Sequence, residues 1–175
     1  MFRYLGKALA TAALACTMSP ALALEWPMNV AAAGCQIEWR GPDGYYELAT
    51  SKGTDAFPTI RFSRQDWGTG IYPFVPLCGG ACQHGAGRDA LHRLFPLKVG
   101  KKITFSTGAE QTTLHVKKRE RVAPLNHDAF LVQTTDTSGA KFQSWWAPKL
   151  GWIVAYKDRS FYKVVTAFSC HKGLS

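Results

Sequence analysis

The sequence predicts a mainly β fold: a curved antiparallel sheet or open barrel of roughly seven to nine strands with one short helix. Three observations carry that expectation. β-branched and aromatic residues fall in short alternating runs, punctuated by Gly, Pro, Asn and Asp. The connections between runs are roughly two to six residues long, which favours an antiparallel meander because parallel strands need long crossovers. Helical spacing of apolar residues stands out in a single place, Arg88 to Phe95.

Taken in order, Ile37 and Trp39 open the alternation after Cys35. Gly41-Pro42-Asp43-Gly44 is a turn, with Pro presetting φ and Gly free to take positive φ, and Tyr45 to Ala49 returns from it. Ile60 and Phe62 mark a strand over Thr59–Ser63. Gly68 to Gly87, rich in Gly and Pro, is a long connection inside one domain. The helix follows, with Leu91, Leu94 and Phe95 on one face and Pro96 ending it; it is placed to cap an open end of the sheet. Lys102–Thr107 alternates, Leu114 and Val116 carry the next strand, and Asp128–Thr134 follows the Pro124-Leu125-Asn126 break. Lys141–Trp146 and the turn Pro148–Gly151 lead to Trp152, Val154 and Tyr156, which alternation puts on one face. The last strand, Phe161–Cys170, is apolar on both faces, the pattern of a central strand buried on both sides.

Compartment decides how the cysteines are read. Arg3 and Lys7 precede an apolar run from Ala8 to Met18, then Ser19-Pro20, then Ala21-Leu22-Ala23. That order is a secretory signal peptide over residues 1–23, cleaved after Ala23; the run is too short to span ~30 Å of hydrocarbon. A lipoprotein anchored through Cys16 is the alternative, although Ala13 stands where a lipobox has Leu. Residues 24–175 then form a single disulfide-stabilised β domain, periplasmic or secreted, with no later transmembrane segment. The whole chain carries 21 Lys and Arg against 12 Asp and Glu, and it stays basic after the leader departs. The densest basic run is Lys117-Lys118-Arg119-Glu120-Arg121, read as a solvated strand end or hairpin; a polyanion site through Lys117, Lys118, Arg119 and Arg121 is an alternative. No nucleic-acid motif accompanies it.

The stretch Cys78-Gly-Gly-Ala-Cys82-Gln-His84, continuing to Asp89 and His92, invites four readings. Covalent haem needs a two-residue spacer and His directly after the second cysteine, and both spacings are off. A metal site would draw on Cys78, Cys82, His84 and His92, but without the knuckle pattern of structural zinc. A redox dithiol wants a two-residue spacer at a helix N-terminus of an α/β fold. Structural disulfides suit an exported chain best: Cys78–Cys82 stapling a Gly-rich loop, and Cys35–Cys170 tying the first strand to the last.

Catalytic constellations do not emerge. There is no G-x-S-x-G turn, His127-Asp128 reads as a turn entering a strand, and His115 faces solvent opposite Leu114 and Val116. No pair among Glu38, Asp43, Glu47, Asp55 and Asp66 stands out for glycoside hydrolysis. The chain therefore reads as a binding protein that needs no cofactor. Its aromatics serve a β core or line a ligand surface. Trp145 and Trp146 are neighbours on a strand, so one should be buried and the other should cover the opposite face. Trp145, Trp146, Trp152 and Tyr156 are the candidate contacts.

Phe95-Pro96-Leu97-Lys98-Val99-Gly100-Lys101-Lys102 and Trp145-Trp146-Ala147-Pro148-Lys149-Leu150-Gly151-Trp152-Ile153-Val154 carry a resemblance. Over roughly residues 94–157 the chain resembles exported proteobacterial β-sheet proteins of unknown function, with a Pro-Leu-x-Val-Gly strand entry and an aromatic-Ala-Pro-x-Leu-Gly turn. Both motifs are turn chemistry without a catalytic group. The resemblance implies a curved antiparallel sheet of the kind seen in periplasmic lipoprotein carriers. The expected function is exported, non-catalytic binding of a hydrophobic or amphipathic envelope ligand or a protein partner; redox or metal chemistry in the 78–92 segment is the rival.

Overall fold

A computed structural model describes residues 35–44, 46–54, 57–62, 75–78, 82, 85–159 and 161–170. The expected leader 1–23 with its expected cleavage site, Cys16, Trp67, His84 and His171 lie outside the described residues. The strands are β1 (Cys35–Arg40), β2 (Tyr46–Thr54), β3 (Phe57–Phe62), β4 (Lys102–Thr107), β5 (Glu110–Val122), β6 (His127–Thr135), β7 (Lys141–Ala147), β8 (Trp152–Asp158) and β9 (Phe161–Cys170). The helices are α1 (Val75–Cys78), a single turn, and α2 (Gly85–Leu94).

All nine strands join one antiparallel sheet in the order β3-β2-β1-β9-β8-β7-β6-β5-β4. Every neighbour in that order is also a neighbour in sequence except β1 and β9. The sheet is a meander whose first and last described strands, β1 and β9, meet in its middle, and it is open between β3 and β4. Cys35 pairs with Cys170 and Arg40 with Val164 along the joining ladder.

Short turns position the strands as their residues dictate. Asp43 and Gly44 take positive φ in the first turn, Asn126 before β6 and Gly151 before β8, conformations for which Asp, Asn and Gly are the tolerant residues. Before β4, Gly100 N–H donates to Val116 O at 2.8 Å and Lys101 N–H to Lys98 O at 3.0 Å. Between β7 and β8, the N–H groups of Leu150 and Gly151 donate to Ala147 O at 3.1 and 3.0 Å. The two motifs that carry the sequence resemblance are thus both strand-entry turns.

The core lies on the inner face, where the helices sit. Ile37, Trp39, Leu114, Val116, Val132 and Trp146 meet Leu77, Leu91, Leu94 and Phe95 there. The Thr134 hydroxyl donates to Leu77 O and anchors α1 on β6. The α2 helix packs on β4, the sheet edge, and hands Phe95 to the Trp146 ring, edge-on at 5.3 Å. His92 and Arg93 occupy the last turn of α2, where positive charge suits the helix dipole. Among the described residues no helix is long and apolar enough to cross a membrane.

Three sequence expectations change. The strand through Leu114 and Val116 extends to Val122, so the basic run is itself the C-terminal part of β5. β9 is central, yet Val165 is its only buried residue, because no second layer covers its outer face among the described residues. Trp152, Val154 and Tyr156 do not share one alternating face. The β7–β8 register slips between Trp145 and Trp146, so Val154 is an extra residue: Trp145 pairs with Ala155, but Trp146 with Ile153. A single bulged residue reverses the phase of everything beyond it, and Trp152 falls out of step with Tyr156.

The structure joins Cys35 to Cys170 across a separation of 135 residues, and Cys78 to Cys82 across 4. Chain-entropy arithmetic assigns the long loop about 5 kcal/mol and the short one about 2. C35S/C170S should lower the urea midpoint markedly more than C78S/C82S. Equal midpoints for the two double variants would show that the β1–β9 ladder holds without its bond.

Candidate functional site

Register places two rows of side chains across the inner face. One runs Ile103, Leu114, Thr134, Phe142, Asp158, Phe161. The other runs Val116, Val132, Ser144, Tyr156, Lys163. Along the second row Val116, Val132 and Ser144 are fully buried, whereas Tyr156 and Lys163 are only part-buried. Among the described residues the helices pack mainly against β4 to β7, while Ile37, Trp39 and Val165 of β1 and β9 are buried as well. Polar groups punctuate an otherwise apolar face, with Thr134 and Ser144 buried and Tyr156 and Lys163 part-buried, and buried polar groups are the informative exception in a core.

From β9, Lys163 Nζ stands 4.8 Å from the centre of the Trp39 ring. Trp39 is fully buried, and its Nε1–H has no hydrogen-bond partner. The Phe142 and Tyr156 rings are 5.9 Å apart. Burial, and then the Asp158 charge, push the Tyr156 phenol up to about 12, so it keeps its proton and can donate at any physiological pH. Phe161 and Phe168 are part-buried on the same face. The arrangement combines an ammonium, an indole N–H and a phenol with a surround of phenyl rings. That suits a molecule with an apolar body and a hydrogen-bond-accepting head.

The expected contact residues do not form one surface. Trp146 and Trp152 are 1% and 0% exposed and belong to the core. Tyr156 is on the inner face and Trp145 on the outer one, since Trp145 pairs with Leu131 and Ala155 while Tyr156 pairs with Ser144. Trp145 donates from Nε1 to Glu120 Oε1 at 2.8 Å and meets the Tyr162 ring edge-on at 6.1 Å. The β5 bulge at Lys117 creates that contact. Val116 pairs with Val132 but Lys118 with Leu131, so Lys118 and Glu120 turn to the outer face beside Trp145. Sequence reasoning passed over Lys163, Trp39 and Ser144 as site residues. The signal for Lys163 was present, because alternation in β9 puts it with Phe161 and Val165.

The basic run is partly neutralised. Lys118 Nζ pairs with Glu120 Oε2 at 2.8 Å and Arg119 with Asp128 at 3.3 Å; Lys117 and Arg121 are exposed. Burial, then the charges of Lys117 and Lys102, hold His115 below its ordinary value, which marks a positive region on the outer face of β4 and β5. In the 78–92 segment, sulfurs joined to one another are not thiolates, the form in which cysteine ligates metals. His92 on α2 lies below its ordinary value through burial and the nearby Arg88 charge, against the opposing pull of Asp89.

No family model matches the chain, and neither a curated protein nor a solved structure shows significant similarity to it.

Burial raises the Glu120 carboxyl, but hydrogen bonds from Lys118 and Trp145 and the Lys118 charge outweigh it and hold the group below its ordinary 4.5. A depressed carboxyl stabilises the fold above its unfolded value, and that contribution fades as pH falls through the lower folded value. E120Q should therefore unfold at lower urea than the parent protein at pH 7, with the gap narrowing as pH falls below the ordinary 4.5 and through the lower folded value. A gap that persists at acid pH would mean that the loss comes from shape rather than charge.

Proposed function

We propose that the protein is an exported, non-catalytic binding protein of the bacterial envelope, periplasmic or secreted, that takes an amphipathic ligand on the β8–β9 side of its inner sheet face. The carrying observation is the change along one row, from buried Val116, Val132 and Ser144 to part-exposed Tyr156 and Lys163. Fully buried rows serve stability alone; a row that ends in part-exposed rings and donors also presents a surface. The leader-like first residues and the joined cysteines support an oxidising compartment.

The test is titration calorimetry with ten-carbon amphiphiles below their micelle concentrations. The parent protein should bind them with one site per chain. Phe161→Ser, which removes a part-buried ring from that side, should weaken binding by about tenfold, the equivalent of about 1.4 kcal/mol. Trp145→Phe, on the outer face, should leave it unchanged. Reversal of those two effects would move the site to the outer face.

A further inference from the structure

We infer that the outer face of the sheet, from β4 to β9, binds an acidic polysaccharide, with its carboxylates against lysines and its hydroxyls against the amides between them. This surface is opposite the inner-face site and independent of it. Register builds it. One unbroken row crosses six strands as Lys102, His115, Gln133, Gln143, Lys157 and Tyr162. Neighbouring strands lie about 4.8 Å apart, so the row runs roughly 24 Å. Every member carries a polar group, and none is an acid. The next row, toward the β6–β7 turn, continues the pattern with Thr104, Thr113, Thr135 and Lys141.

Charge points to an anionic occupant. Lys102, Lys141 and Lys157 are exposed, and the β5 bulge adds Lys117, also exposed. Among the described residues none of these four lysines has an ion-pair partner. The carboxylates on the same face are engaged already. Glu120 holds Lys118 and Trp145, each at 2.8 Å, and Glu38 holds Arg40 and Thr166, each at 3.1 Å. Asp136, in the turn beyond the threonine row, accepts from Ser138 Oγ at 2.6 Å and Ala140 N–H at 3.0 Å. Glu47, Glu110, Asp128 and Asp158 fall in inner-face register, opposite Trp39, Thr107, Arg121 and Phe142. The surplus of positive charge is felt at His115, which the Lys117 and Lys102 charges, after burial, hold below its ordinary value. Opposite charge across an interface steers and orients a partner.

The middle of the face selects among anions. Gln133 and Gln143 are paired there, and the Thr104 and Thr113 hydroxyls bond each other at 2.9 Å on the neighbouring row. Amides both donate and accept hydrogen bonds, which suits the hydroxyls of a sugar chain. A single-stranded nucleic acid would want rings in the middle, on which bases stack. Here Tyr162 stands at the end of the row, with Trp145 edge-on beside it. A bilayer surface would want exposed apolar side chains. Leu131 and Ala155 of this face are buried, and the exposed Val99 stands apart, in the turn before β4. The part-exposed Tyr162 ring offers the apolar plane that the C–H side of a sugar can cover.

The experiment is calorimetry on the full chain with four probes: polygalacturonate, the uncharged glycan dextran, oligothymidylate and phosphatidylglycerol vesicles. Polygalacturonate should bind tightest, and its affinity should fall about fivefold or more between about 50 and 200 mM salt, since exposed charges are screened. Lys102→Gln with Lys157→Gln should weaken it about tenfold, and the two Arg replacements should keep it. Gln133→Ala with Gln143→Ala should weaken it several-fold and leave the salt dependence as it was. Lys149→Gln removes an equal charge from the β7–β8 turn, off this face, and should change nothing. Bound polygalacturonate should also raise the His115 imidazole titration followed by NMR, because the added anions offset the lysines. Circular-dichroism melting of each variant separates lost recognition from lost folding. No binding of polygalacturonate would overturn the proposal, as would equal binding of dextran. Tighter binding of oligothymidylate would make the face a nucleic-acid surface instead, and tighter binding of the vesicles a membrane-docking one. An unmoved His115, or an equal loss in Lys149→Gln, would take the glycan off this face.

Discussion

The pairing of β1 with β9 is the contact on which the rest of the sheet depends. Every other strand finds its partner through a nearby turn, whereas this ladder closes a separation of 135 residues. Without it the chain would be two separate meanders, β1–β3 and β4–β9. With it, β1 and β9 become central strands, and Ile37 and Trp39 reach the core that Leu114, Val132 and Trp146 build from the other side. The bond between Cys35 and Cys170 sits at the end of this ladder and removes disorder from the unfolded chain where the loop-closure cost is greatest.

The bulges decide which side chains meet. The extra residue at Lys117 turns Glu120 to the outer face, where it accepts from Trp145. The extra residue at Val154 sets Ile153 opposite Trp146 and Trp152 opposite Ala147, out of step with Tyr156. A third irregularity, between Glu38 and Trp39, brings Trp39 opposite Val165 on β9, and so within reach of Lys163. Local breaks in strict alternation thus set the Glu120–Trp145 contact and the placing of Trp39 against β9, in keeping with the tendency of bulges to re-aim side chains.

These facts explain what could and could not be read from the residues. The class of fold, the limits of β4 and β9 and the position of α2 follow from local alternation, turn residues and Pro96, all within a short window. The length of β5 did not, because its charged second half looks like a solvated tail; ion pairs to Glu120 and Asp128 let it stay in the ladder. Bulges leave no mark on composition, so the expected Trp152–Tyr156 face was a sound inference from period two that one extra residue undid. Lys163 could have been noticed as the polar member of an apolar face. Trp39 could not, since its role depends on a partner far away in sequence.

Chains are made from the N-terminus, and the strand order therefore sets a timetable. When β1, β2 and β3 have emerged they can pair with one another, but the flank of β1 that will receive β9 stays bare until β9, the last of the described strands, is complete. Until β9 follows β8, the hairpins of β1, β2 and β3 carry an unsatisfied edge with Ile37 and Trp39 beside it, the kind of edge that invites pairing with other chains. The cysteine that locks the structure, Cys170, also arrives last. A chain lacking only its final strand would lose that lock, a central ladder and the lysine side of the inner face together, so the protein passes from open to complete in one late step.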